Sequence, residues 1–372
     1  METRQGPGNQ GARRLAGWAR LLAALAGGAI GVAACAPSAS PSPPATSPPA
    51  SGPVAAATAA PSPPPRERLV VAYSQRSVSQ GMHIYGLEAG YFAQQGLELE
   101  TTQIPGSSVL AAAMIAGEVQ IGTVGASAPT EARLGGADLV MLADTTPVMV
   151  FWLIGRPEVR AVAELRGKRV GVTRLGTALH LGGRLALRHH GLDPEREVTW
   201  MNMSTLSAIV AGLEANAIDA GVVTPIEQYQ AQALGMNALF DIGTISPPFS
   251  QAGVVASQQF TRERPDLVLR YLRGHLDGLK RLRADPAWGK QVMARWLQVD
   301  DPMVIDDSYE TYVRRYLPEV PTPRPEAVAP IIELLALTDP RANQLRPEDL
   351  VEPRFIQQLE AEGFFQRPPG AP

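Results

Sequence analysis

From residue 69 onward, short apolar runs alternate with stretches of helical character. Leu69–Tyr73 (LVVAY) reads as a buried strand, Ser74–Gln80 as a polar loop, and the residues up to Gln95 as helical. Gly96 ends that helix, and Leu97–Thr102 alternates with the period of a strand. Gly106, Ser107 and Ser108 open a helix that runs through Ala116 and closes at Gly117; Gln120–Val124 is the next strand. Gly125, Ala126 and Ser127 lead into another helix, and Asp138–Ala143 forms a further strand. Strands alternating with helices predict an α/β fold with mainly parallel sheets.

The same order then returns. Arg169–Thr173 is a strand, Arg174–Gly176 a loop, Thr177–His190 a helix ended by Gly191, and Val198–Asn202 the following strand, with Thr205–Ala215 the helix after it. The segments AGEVQIGTVGA (116–126) and ANAIDAGVVTP (215–225) align at an offset of 99 residues. Each is a helix end, a tight turn, an apolar strand and a loop that starts a helix. Repeated βα units predict two similar lobes. After Ser257 only helical patterns follow: Asp266–Arg283, Pro286–Gln298, Pro302–Tyr316, Pro325–Leu337 and Pro353–Glu362, several opening with proline in the first turn. Two apolar stretches, Val148–Ile154 and Gly253–Ser257, read as the crossing segments of a hinge. On this plan lobe one is discontinuous, 68–150 and 255–365, and lobe two is 155–248.

Composition changes the picture mainly at the N-terminus. Charged residues are 19% and apolar residues 45%, and the net charge of −3 gives no support for a nucleic-acid partner. A single cysteine excludes a disulfide scaffold and any cysteine-based metal cluster. That cysteine, Cys35, ends a segment with Arg13, Arg14 and Arg20 ahead of the uncharged run Leu21–Ala34. About 14 apolar residues span ~21 Å, short of the ~30 Å membrane core, so the run reads as an export signal rather than a spanning helix. Val32-Ala33-Ala34-Cys35 resembles the lipobox of bacterial lipoproteins, with Val32 where the pattern prefers leucine. The resemblance implies lipidation at Cys35 and a signal peptide over 1–35. Residues 36–67 then form a tether. Ala36–Pro65 holds 11 prolines and no charge, a composition with little to bury.

GLEAGYFAQQGLELE (86–100), AAAMIAGEVQIGTVGAS (111–127), LRGKRVGVTRLGT (165–177) and LEANAIDAGVVTP (213–225) together resemble one family. It comprises the aliphatic sulfonate, taurine, nitrate and thiamine-pyrimidine-precursor binding proteins of ABC importers. The resemblance covers roughly residues 68–300. It implies the type II periplasmic binding protein fold, two Rossmann-like α/β lobes joined by a hinge, here with a helical C-terminal part. It further implies a non-enzymatic, lipid-anchored receptor outside the cytoplasmic membrane. Its partners would be a small-molecule ligand and the permease and ATPase subunits of an importer, with a monomer expected and no cofactor or metal. An enzyme related to the pyrimidine-precursor synthases, and a ligand sensor for a membrane receptor, are the alternatives.

In such folds ligands sit beyond the carboxyl ends of strands, where helix N-termini favour anionic or acceptor-rich groups. The candidate ligand-binding residues are Ser74, Gln75 and Arg76 after the first strand, Ser107 and Ser108, and Gly125, Ala126 and Ser127. In lobe two they are Arg174, Gly176, Thr177, Thr224 and Glu227. Serine and threonine are equally ordinary helix caps, and each arginine is equally readable as a solvated loop residue. Arg76 and Arg174 hold matching positions and would clamp an oxyanion from both sides by paired hydrogen bonds. Glu227 points instead toward an amine or an arginine. His189 and His190 are adjacent, so they face different helix sides and make a poor metal pair.

Overall fold

A computed structural model of the chain describes residues 66–371. The expected signal peptide with Cys35 and nearly all of the expected tether lie outside the described residues.

Among the described residues ten strands follow one another: β1 (Glu67–Tyr73), β2 (Leu97–Gln103), β3 (Ile121–Val124), β4 (Leu139–Thr146), β5 (Trp152–Gly155), β6 (Lys168–Val172), β7 (Val198–Asn202), β8 (Ala220–Val223), β9 (Asn237–Asp241) and β10 (Ala252–Ser257). They form two five-stranded sheets, ordered β2-β1-β3-β10-β4 and β7-β6-β8-β5-β9. In the first, β1 pairs parallel with β2 and β3, while β10 runs antiparallel between β3 and β4. The second repeats this layout, with β5 antiparallel between β8 and β9. Each sheet thus contains one strand that arrives from across the chain: β5 enters the second sheet and β10 returns to the first.

The two lobes are similar down to single turns. β3 and β8 are buried at every position, as strands covered on both faces must be. The helices before them, Ser107–Ile115 and Leu206–Glu214, end in the same left-handed turn, supplied by Gly117 (φ 77°) in one lobe and Asn216 (φ 58°) in the other. Asparagine tolerates that conformation better than most side chains, so the turn survives without glycine.

The C-terminal part is helical and touches both lobes. Helix Pro265–Ala284 packs its apolar face on lobe one, burying Leu267, Tyr271, Leu272 and Leu276. The chain then runs through Pro302–Tyr309 and Glu310–Tyr316 to lobe two, where Arg315 and Tyr316 bind the Asp241 carboxylate. No described helix is long and apolar enough to cross a membrane.

Candidate functional site

A cavity of about 610 Å3 opens between the lobes. Lobe one contributes Gly125, Ser127 and Glu131, from the loop after β3 and the helix Ser127–Leu134. Lobe two contributes Arg174, Leu175, Gly176, Thr177 and Ala178, from the loop after β6 and the start of helix Ala178–His189. Phe249, Ser250 and Gln251 come from the segment entering β10. Helix Pro325–Ala336 and the turn after it close one wall with Ile331, Leu334, Leu335 and Thr338.

The Arg174–Thr177 loop is fixed from several sides. Leu175 N–H donates to Asn202 Oδ1 at 2.9 Å, Gly176 N–H donates to His180 Nδ1 at 3.1 Å, and Thr177 Oγ1–H donates to the Arg174 carbonyl at 2.7 Å. Gly176 takes φ 78°, a conformation that a side chain would strain. His180, buried against the edge of Trp200, is held toward its neutral form by burial, with the Arg184 charge adding to the effect. A neutral imidazole can accept the Gly176 N–H; a charged one cannot. The loop thereby presents the Arg174 side chain beside the first turn of a helix, where unpaired N–H groups add to the positive potential.

Opposite Arg174 stands Glu131. Among the described residues neither the Arg174 guanidinium nor the Glu131 carboxylate makes a hydrogen bond or ion pair. Behind the cavity floor, Ser250 Oγ–H donates to Asp144 Oδ2 at 2.6 Å. Burial lifts the Asp144 carboxyl to about 7, while the Ser250 hydroxyl, the Thr146 backbone and the Arg324 charge oppose the shift.

Five of the residues singled out in the sequence meet here: Gly125, Ser127, Arg174, Gly176 and Thr177. The others are placed elsewhere or already engaged. The Ser74 and Gln75 N–H groups both donate to Gln80 Oε1, as does the Ser74 hydroxyl. Arg76 donates to the Trp296 carbonyl at 3.2 Å, its guanidinium 5.2 Å from that indole's ring centre. The Ala126 N–H is taken by the Ser250 carbonyl at 3.1 Å. Thr224 Oγ1–H donates to the Glu227 carboxylate. Burial raises the Glu227 carboxyl; burial also pushes up the Tyr312 hydroxyl of the C-terminal segment, with the Glu227 charge adding to the effect. Ser107 and Ser108 begin the helix Ser107–Ile115 after Gly106, as the sequence indicates. Glu131, Ser250 and the helix Pro325–Ala336 had no sequence signal as site residues; a carboxylate one turn into a helix and an apolar helix face look like solvated surface and core. No group of three or more His, Cys, Asp or Glu side chains among the described residues could hold a metal ion.

Residues 80–288, more than half of the chain, match the family described as NMT1/THI5 like. The chain belongs to that family. This NMT1/THI5-like protein is also 27% identical, over 216 residues, to a protein of Brachyspira hyodysenteriae named as an ABC transporter periplasmic binding protein. That match takes in 54% of the chain and 61% of the relative's length. Among solved structures, a sulfonate ABC transporter periplasmic sulfonate-binding protein, SsuA of Methylobacillus flagellatus, superposes with a TM-score of 0.65 at 14% identity, covering 81% of this chain and 96% of that one. The desulfurization enzyme DszB superposes with a TM-score of 0.59 at 16% identity, covering 80% and 100%. These likenesses show the periplasmic binding protein fold, which carries binding proteins and an enzyme alike.

Proposed function

We propose that this protein is a lipid-anchored, extracytoplasmic solute-binding receptor that captures a small polar molecule between its lobes and delivers it to an ABC importer. The observation that carries the reading is the cavity itself. It is walled by both lobes, and internal bonds fix the Arg174–Thr177 loop while the Arg174 guanidinium and the Glu131 carboxylate make no hydrogen bond or ion pair among the described residues. Its volume suits a small-molecule ligand. The transport function of the Brachyspira relative and the lipobox ending at Cys35 support the same reading. A ligand contacting both walls binds the closed arrangement best and shifts the lobes toward it.

The test has two arms. A thermal-shift screen of small organic ions on the purified protein should yield a stabilising ligand that calorimetry confirms and that is recovered chemically unchanged. Recovery of a converted product would favour an enzyme on this fold, the role DszB plays. Cys35→Ala should move the protein from the membrane to the soluble fraction; unchanged membrane attachment would remove the lipid anchor from the proposal.

A further inference from the structure

Arg174 and Glu131 carry opposite charges on opposite lobes and line one cavity. Neither spends its charge on a partner among the described residues. The Arg174 charge nevertheless reaches Glu131, drawing its carboxyl downward against the upward pull of burial. A ligand that is only an anion would satisfy Arg174 and leave a carboxylate facing it from the other wall. A ligand that is only a cation would meet the converse penalty. The same cavity has an apolar lining: Ile331, buried at 6% exposure, Leu334 and Leu335, half-buried on the same helix, and Phe249.

Resting on the receptor reading above, we propose that the cavity takes a dipolar ligand, with an anionic group on Arg174, an ammonium group on Glu131, and a short apolar carbon body against helix Pro325–Ala336. Such a molecule spans the two lobes with one charge on each. Closure and charge recognition then become the same event. The apolar wall sets which bodies fit, because water released from the leucines favours a hydrocarbon chain over a polar one. Glu131 is the specificity-determining residue that separates this ligand from a simple oxyanion.

The experiment is calorimetric titration of the whole protein with matched probes: ω-aminoalkanesulfonates and ω-amino acids of three to eight carbons, the corresponding amine-free alkanesulfonates and carboxylates, and the corresponding alkylamines. At one chain length the dipolar probe should bind at least roughly tenfold more tightly than either singly charged match, the scale of one charge-assisted hydrogen bond. Glu131→Gln should weaken the dipolar probe by roughly 5- to 30-fold and leave the amine-free anion equal or tighter. The Glu131 side chain makes no hydrogen bond or ion pair among the described residues, so this variant keeps its fold, which a melting curve checks. Equal or tighter binding of the amine-free anions to the wild-type protein would overturn the inference and leave the receptor reading standing. A Glu131→Gln variant that binds both probe types more tightly, as it would if the two side chains simply pair on closure, would overturn it too. Silence from every probe also overturns it, whereas the receptor reading falls only if the broad thermal-shift screen is silent too.

Discussion

Lowering the pH from about 7.5 to about 5 should weaken the fold through a histidine pair that lobe one holds neutral. His83 and His275 lie in its core at 0% and 1% exposure. His83 meets Trp296 edge-on with ring centres 5.6 Å apart, and His275 stacks on Tyr271 at 5.7 Å. The His275 ring nitrogens have no hydrogen-bond partner among the described residues. Burial lowers His83 from 6.5 to about 4, with the Gln80 backbone offsetting part of the shift. Burial lowers His275 to about 3, and the nearby His83 adds to the effect. Both folded values lie below the unfolded one, so the unfolded chain takes up protons first as the pH falls. Stability is therefore full above about pH 7 and drains from about 6.5 down to about 4 for His83 and about 3 for His275.

At about pH 5 this linkage costs about 2 kcal/mol for each histidine and about 4 kcal/mol for the pair. Asp144 acts in the opposite sense. Its carboxyl is raised to about 7 by burial, so the folded state binds that proton first. Over the same interval it adds about 2–3 kcal/mol of stability, which is lost again as the pH rises through 7. Glu131, Glu227 and Asp307, also raised by burial, push the same way as Asp144. His180 and His190, also lowered by burial, push the same way as the pair, so the decisive quantity is a difference between two proteins. His275→Phe keeps a ring beside Tyr271 and removes one titration. Urea unfolding of both proteins at the two pH values should show the variant losing about 2 kcal/mol less on acidification. Equal losses would refute the claim that His275 is held neutral by burial.

Two further outcomes are expected. Arg174→Ala should weaken binding of the ligand found by screening about 10- to 100-fold, the loss of one or two charge-assisted hydrogen bonds; calorimetry showing wild-type affinity would make Arg174 a solvated loop residue. Gly253→Ala should destabilise by about 1–3 kcal/mol or more, because the added Cβ would lie 2.0 Å from the Ala143 carbonyl oxygen in the strand pair β10–β4; an unchanged melting temperature would contradict that close approach.

The fold was legible because its signals are local and repeated. Apolar strands, glycine stops and the offset of 99 residues between β3 and β8 all lie within short windows. The insertion of β5 and β10 as antiparallel strands was visible only as two apolar stretches, since strand direction is set by where the chain returns from. The site was half legible. Arg174, Gly176 and Thr177 follow an apolar strand and precede a helix, and the structure holds them at the cavity. Arg76 occupies the matching position in lobe one, yet Trp296, 220 residues away in sequence, takes its guanidinium. No local pattern carries such a capture. Ser250 and Gln251 were missed for a similar reason: a hinge segment shows neither period nor motif.

The C-terminal helices matter more to the site than a tail added to one lobe would. Tyr309, Tyr312 and Val313 are buried in the lobe-one core beside Tyr271 and Leu282. Three residues further on, Tyr316 donates its hydroxyl to Asp241 at the end of β9 at 3.2 Å, and Arg315 pairs with the same carboxylate. Gly243 leaves room for that phenol, since a Cβ there would lie 2.2 Å from its oxygen. The chain then turns back, its Ala327 carbonyl accepts the Ser250 N–H at 2.8 Å, and the same helix forms the apolar wall of the cavity. One continuous segment is thus anchored in lobe one, strapped to lobe two and bonded to the hinge before it reaches the ligand space. On the receptor reading proposed above, a ligand that touches Arg174, Glu131 and Leu335 together would contact both lobes and this connecting segment at once.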